Sequence, residues 1–355
     1  MVQLSCYEHK LTPSRATSST CKAKRRHVRL LGSSPAPPRP FLHPIGTTNI
    51  PAQREALWAL AWTPHGLVSG GADGVVRLHD PADLELPLNE FAAHPLAVSS
   101  LSAAGALAIS TSLDGAVVAI DVEKGKLRGR VDTGRAPELP AYAAALHPSA
   151  SALAWSGRGS KLAIRVIDAA ADDEGAACCR RSARSLTPPQ SPDGAQIAVG
   201  METGHVVIVD AETQAVLTTY SAHAMGVRTV SWSPDSQWLY SGSDDARIVL
   251  HDVRAGAKSG ARGEGAAAIL QGHQGWVLTT AASPDGRLLG SGGADNLVKL
   301  WDIGQRACVS TSTADAEVWG FAWQPEIEGG LAPGKQFAVA GDDKKVSLYR
   351  AAGAV

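Results

Sequence analysis

Seven times along this chain a short apolar run ends in the same way, and the spacing of those ends limits the fold more than any other feature. The ends are His79-Asp80, Ile120-Asp121, Ile167-Asp168, Val209-Asp210, His251-Asp252, Trp301-Asp302 and Tyr349-Arg350, at intervals of 41, 47, 42, 42, 50 and 48 residues. Other landmarks keep the same phase. Aspartates suited to tight turns stand at Asp73, Asp114, Asp245, Asp295 and Asp343. Ser191-Pro192-Asp193-Gly194, Ser233-Pro234-Asp235-Ser236 and Ser283-Pro284-Asp285-Gly286 each separate two apolar runs, Pro presetting φ while Asp and Gly favour the turn.

A period of roughly 40–45 residues is that of a four-stranded propeller blade. Seven ends predict an all-β, seven-bladed β-propeller over 50–355, with residues 1–49 as a disordered head. The last blade ends at Tyr349, too near Val355 for a fourth strand. The stretch near Ile45–Ala52 is therefore expected to supply that outer strand, closing the ring and removing exposed edges. Blade four is the weak point. Residues 179–190, where its first strand should lie, hold two prolines and several arginines, a poor central strand. They are either an irregular strand or a sequence artefact. Blade three has Ser156-Gly-Arg-Gly-Ser160 in place of its turn Asp.

The head is rich in Ser, Thr, Pro and basic residues. Its net charge of +7 against −1 for the chain leaves the body mildly acidic, which argues against direct nucleic-acid binding. The cluster Lys22-Ala-Lys24-Arg25-Arg26-His27-Val28-Arg29 suits nuclear import. An organellar leader, a plain solvated tail and a mis-assigned start remain open beside it. No apolar run is long enough for a spanning helix, so no membrane role is expected. Five cysteines (Cys6, Cys21, Cys178, Cys179 and Cys308) are odd in number and lack metal-ligand spacing. They read as reduced thiols of the nucleus or cytoplasm, with a vicinal Cys178–Cys179 disulfide as the alternative.

In blade six, His273, Ser291, Asp295 and Trp301 fit the hydrogen-bonded network of a WD repeat, which makes His273 structural and not catalytic. His223 and His94 are read the same way. Elsewhere the Trp position holds His79, Ile120, Ile167, Val209 or His251.

Longer strings carry a more specific likeness. Ala222-His-Ala-Met-Gly-Val-Arg228, Trp232-Ser-Pro-Asp-Ser-Gln237, Gly272-His-Gln-Gly-Trp-Val-Leu278 and Val298-Lys-Leu-Trp-Asp-Ile-Gly-Gln-Arg-Ala-Cys-Val309 resemble the WD-repeat subunit family of the superkiller complex, which includes the plant vernalization-independence WD proteins. Ala56-Leu-Trp-Ala-Leu-Ala-Trp62 and Glu317-Val-Trp-Gly-Phe321 add to the likeness, which weakens over 135–190. The resemblance implies a non-catalytic scaffold shared by two assemblies. One is the cytoplasmic superkiller complex of 3′-to-5′ messenger RNA decay, with a tetratricopeptide-type subunit as partner. The other is the nuclear polymerase-associated factor complex of transcription elongation and histone modification. It also implies a monomer within a hetero-complex.

No P-loop, Rossmann glycine pattern, HExxH or GxSxG motif occurs, so no catalytic residue, cofactor or metal is expected. Gly70-Gly71 and Gly292-Gly293 are read as turn glycines with φ > 0. What remains is surface. Counting back from each first turn places Trp58, Ser99, Tyr142, Leu186, Arg228, Leu278 and Trp319 at one register, the inner top end of each first strand. Of these, Trp58, Tyr142, Arg228, Leu278 and Trp319 are the candidate partner-binding residues, since aromatics and Arg dominate interface hot spots. The competing reading is that they pack in the channel wall. A different function class rests on Ser241 to Arg254, which resembles the WD-x-Arg box of substrate receptors of cullin-type ubiquitin ligases, with His251 where that box has Trp.

Overall fold

The structure, a computed structural model, describes residues 42–47, 55–132, 141–157, 161–166, 179–181, 191–255, 266–326 and 334–351. Its strands all lie in the unit Pro40–Val355 and form seven antiparallel sheets, the blades of a seven-bladed β-propeller. Within each of the first six blades the described strands follow chain order from the inner edge outward. Blade one runs Leu57–Thr63, Gly66–Gly71, Val75–Asp80 and Asp83–Ala92. Blade five runs Val227–Trp232, Trp238–Ser243, Arg247–Asp252 and Ala266–Gln271. Blade six runs Val277–Ala282, Leu288–Gly293, Leu297–Asp302 and Ala307–Thr313.

Burial is greatest in the second strands and least at the rim, and this explains the sequence pattern. Second strands such as Leu107–Ser112 are buried along their whole length because a blade is covered on both faces. They therefore read as continuous apolar or small-residue runs and not as alternating ones. The rim strand Ala307–Thr313 is mostly exposed and correspondingly polar. Seven apolar clusters lie at the seven joints between neighbouring blades. Blade six meets blade seven through Val298, Leu300, Phe321 and Phe337, and blade seven meets blade one through Ala338, Leu348, Leu57 and Trp62. Inner strands are also tied across joints by hydrogen bonds: the Trp323 indole N–H donates to the Ala281 carbonyl at 2.8 Å, and the Thr280 N–H to Thr229 Oγ1 at 3.1 Å.

The ring closes through Leu42–Thr47, which pairs antiparallel with Val346–Ala351 as the outer strand of blade seven. This corrects the expected position near Ile45–Ala52, since pairing starts at Leu42, within the segment assigned to the head. As an edge strand it tolerates Pro44, since edge strands are where sheets accommodate proline.

Two more expectations change. Cys179–Arg181, taken above as part of blade four's first strand, is the outer strand of blade three, paired with Leu162, Ala163 and Ile164. A short rim strand bears charged side chains well. Residues 182–190, with both prolines, lie outside the described residues, as do 158–160 and Ile167-Asp168. The glycine pairs are not turn residues either. Gly70-Gly71 and Gly292-Gly293 sit inside second strands, and positive φ falls instead on Gly74, Gly115, Gly204, Ala246, Asn296 and Lys344. Gly70 and Gly292 are small for another reason: a Cβ there would collide with Val98 or Val318, which opens the inner strand of the next blade.

Candidate functional site

Each described inner strand begins with the same irregularity. In blade one Leu57 pairs with Gly71 and Ala59 with Gly70, so that Trp58 is skipped. The same shift skips Ser99, Tyr142, Arg228, Leu278 and Trp319 in blades two, three, five, six and seven. A bulge leaves one residue unpaired and re-aims its side chain. The register counted from the turn prolines is thus a ring of bulge residues at one end of the inner strands. Leu186 lies outside the described residues, and Tyr142 is placed by its strand alone.

The ring is not uniform. Trp58 and Trp319, from adjoining blades, are partly buried with ring centroids 6.2 Å apart, tilted by 38°. Trp319 Nε1 is buried without an acceptor among the described residues. Arg228 is paired within its own blade: Nε and Nη2 donate to the two Asp244 carboxylate oxygens at 2.7 and 3.0 Å. That fork fixes the guanidinium 5.2 Å from the centre of the Trp276 ring, a cation–π contact. Leu278 is only 8% exposed and presents little surface.

The open apolar surface at this end comes from residues the register did not select. Leu96, Met225, Trp276 and Leu113 are 51%, 49%, 47% and 45% exposed. The first three lie in loops entering inner strands, and Leu113 lies in a second-to-third turn. Hydrogen bonds tie loops and turns together: Ser112 Oγ donates to the Leu96 carbonyl at 2.9 Å and Ser243 Oγ to that of Met225 at 3.1 Å. A signal for these residues was present, because Leu96, Met225 and Trp276 follow His94, His223 and His273 by two or three positions.

Comparison with known sequences agrees with this geometry. The family model described as WD domain, G-beta repeat matches residues 44–80, 214–252 and 266–302. Each matched stretch begins near an outer strand of one blade and ends at the third strand of the next, so the sequence repeat is offset from the blade by one strand. The WD repeat-containing protein VIP3 of Arabidopsis thaliana is 30% identical over 257 residues, 66% of this chain and 76% of that protein. The chain belongs to the WD-repeat family. Similarity also extends to WD repeat-containing protein SL1-17 of Schistosoma mansoni (29% over 214 residues, 58% of this chain and 69% of that protein). WD repeat-containing protein slp1 of Schizosaccharomyces pombe is 36% identical over 164 residues, 46% of this chain but only 31% of that longer protein.

In this WD-repeat chain the buried network braces the exposed loops. Tautomers follow from the partners. His273 Nδ1–H donates to Asp295 at 3.0 Å, Ser291 Oγ–H donates to His273 Nε2 at 2.8 Å, and Trp301 Nε1–H donates to Ser291 Oγ at 2.8 Å. Asp295 also accepts the Gln274 N–H at 2.8 Å, tying down the loop that carries Trp276. In blade five His223, Ser241 and Asp245 repeat this, and His251 replaces the Trp, its Nε2 2.8 Å from Ser241 Oγ. Burial, assisted by the nearby His223, pushes the His251 pKa down to about 3. Burial beside Arg77 pushes that of His79, bonded likewise to Ser69, to about 4. His94, His223 and His273 are lowered as well, chiefly by burial, with their aspartates opposing. These imidazoles are neutral and held in place, which suits bracing and not proton transfer. Among the described residues no group of three or more His, Cys, Asp or Glu is placed to hold a metal ion, and no helix is long and apolar enough to cross a membrane.

Proposed function

We propose that this chain is a non-catalytic interaction scaffold that grips a partner segment on the bulge-ring end of the propeller. The observation that carries the reading is Trp276, half exposed yet fixed by Arg228, which Asp244 fixes in turn. A large aromatic held in place before binding loses little entropy when it becomes an anchor. Trp58, Trp319, Leu96, Leu113 and Met225 extend the apolar surface around it. Tyr142 and the largely buried Leu278 belong to the proposed ring by their register.

The finer reading is a subunit of assemblies like the superkiller complex and the polymerase-associated factor complex, working in the cytoplasm and the nucleus. Its partner there would be a tetratricopeptide-type subunit. The quoted strings in blades five to seven and the 30% identity to VIP3 support it. The ligase-receptor alternative rests on Arg254, whose guanidinium is engaged by Asp252 at 3.1 Å and by Gln237 at 2.8 Å and lies over the Trp238 ring. An arginine so occupied within its blade favours the scaffold reading. Co-purification from cells tests the choice. Tetratricopeptide and polymerase-factor subunits support the scaffold, whereas recovery of a ligase adaptor in their place overturns it.

A further inference from the structure

The five turn aspartates all accept the backbone N–H two residues ahead, from Val75, Ala116, Arg247, Leu297 and Lys345. Four of them also hold a side-chain partner that carries planar N–H donors. Asp73 takes Arg77 at 2.7 Å, Asp114 takes Arg130 at 3.1 Å with His94 at 3.6 Å, Asp245 takes His223 at 3.1 Å, and Asp295 takes His273 at 3.0 Å. Asp343 in blade seven has no such partner among the described residues. The Lys345 ammonium, two residues on, pairs with Asp315 at 3.3 Å.

The cause lies in three substitutions between repeats. Aligning Val318 with Val277 puts Ala314 where blade six has His273, and the third strands put Ser347 where it has Lys299. Val339 replaces Ser291 in the second strand. The smaller Ala314 and Ser347 leave a cavity of about 170 Å³, lined among others by Ala314, Glu317, Val339, Asp343, Ser347 and Tyr349. Burial, with Asp315 nearby, raises the Asp343 pKa; the Lys345 backbone N–H and ammonium oppose this only in part, so the carboxylate is held at a net cost with no cation paired to it among the described residues.

We propose that this cavity receives the cation its own blade lacks, the arginine guanidinium of a partner segment. The class follows from the other blades, where imidazole or guanidinium fills the equivalent place. A guanidinium matches a carboxylate with paired donors and lies flat on an aromatic face such as that of Tyr349. Seating on a docked partner rests on the function proposed above; the cavity's chemistry does not.

The test titrates the full chain with N-acetylarginine amide, followed by NMR. The neutral isostere N-acetylcitrulline amide and N-acetyllysine amide serve as comparators. Saturable arginine binding at least tenfold tighter than that of either comparator is expected. Asp343→Asn should weaken it at least tenfold. Ala314→His, which supplies the missing imidazole, should block it and raise the melting temperature, and it keeps the test open if Asp343→Asn folds poorly. Equal binding of arginine and citrulline, no arginine binding, or undiminished binding to a folded Ala314→His protein overturns the proposal. If arginine amide fails to bind while partner capture still depends on Trp276, the cavity proposal alone is lost. If it binds while capture ignores Trp276, the docking reading alone is lost.

Discussion

Tyr220 stacks on His251 across the joint between blades four and five, with ring centroids 4.6 Å apart and planes within 28°. His251 occupies the place of Trp301 in blade six, and Tyr220 the place of Leu270 on the preceding outer strand. At one joint a large ring comes from the third strand and a smaller group from the outer strand; at the other the larger ring comes from the outer strand. Phe91 with Ile120 repeats the second solution between blades one and two. The repeat conserves volume at the joint more than residue type.

That exchange predicts a double-mutant cycle. His251→Trp alone should overpack against Tyr220 and destabilise by about 1–3 kcal/mol. Adding Tyr220→Leu, which recreates the blade-six pair, should recover most of the loss. Urea unfolding of both variants checks this, and a double variant no more stable than the single one would refute the exchange.

Acid should weaken the fold in a defined window. The folded pKa values of His79 and His251, about 4 and about 3, lie below the ordinary 6.5, and those of His94, His223 and His273 are also lowered. The unfolded chain therefore binds protons that the folded chain refuses. The stabilisation is complete above about pH 6.5 and is lost as pH falls toward 4, by up to about 1.4 kcal/mol per pH unit for each histidine kept fully neutral. Unfolding midpoints at pH 7.5 and 5.5 measure it. Equal midpoints would mean that these histidines charge freely in the folded state.

How much was legible in the sequence follows from the range of the forces involved. The third-strand ends and turn prolines mark local structure, so seven blades and the bulge register of Trp58, Arg228 and Trp319 were readable. The closing strand pairs with the other end of the chain, and no local pattern fixes where that pairing starts. Leu278 and Trp276 lie two residues apart, and which of them is exposed depends on Arg228 in the neighbouring blade. Likewise Gly70 and Gly292 answer to Val98 and Val318 across a joint and not to a turn.

The turn between second and third strands offers a stabilising change. Ala246 has φ +62°, where blades one, two and four have Gly74, Gly115 and Gly204. Ala246→Gly should relieve left-handed strain and raise stability by about 0.5–1 kcal/mol, the steric gain exceeding the entropy that Gly adds to the unfolded chain. A lower melting temperature would show that the turn is unstrained.

Ring closure is open to truncation. Removing residues 1–41 spares Leu42–Thr47, whereas removing 1–47 strips the outer strand from Val346–Ala351 and exposes its edge. The second truncation should melt well below the first and aggregate more readily. Identical melting of the two would mean that the blade is stable with three strands.

The last prediction concerns capture of the partner. Trp276 is half exposed, so Trp276→Ala should shift the melting temperature little, yet losing a fixed aromatic anchor typically costs about 2 kcal/mol or more in binding, well over tenfold in Kd. Arg228→Glu should act through the same ring, because it removes the cation–π contact and sets a like charge against Asp244. Asp244→Asn should lie between wild type and Arg228→Glu, since it loosens the fork without reversing charge. Trp319→Ala tests the adjoining blade of the ring, where the tilted pair with Trp58 would lose its partner. Arg306→Ala, at the rim with its guanidinium on the Ala267 carbonyl, should leave capture of this partner unchanged. Calorimetric titration against the tetratricopeptide region, run beside melting curves, separates binding from folding. Full affinity in folded Trp276→Ala and Arg228→Glu proteins would move the docking surface to the sides or the opposite end of the propeller.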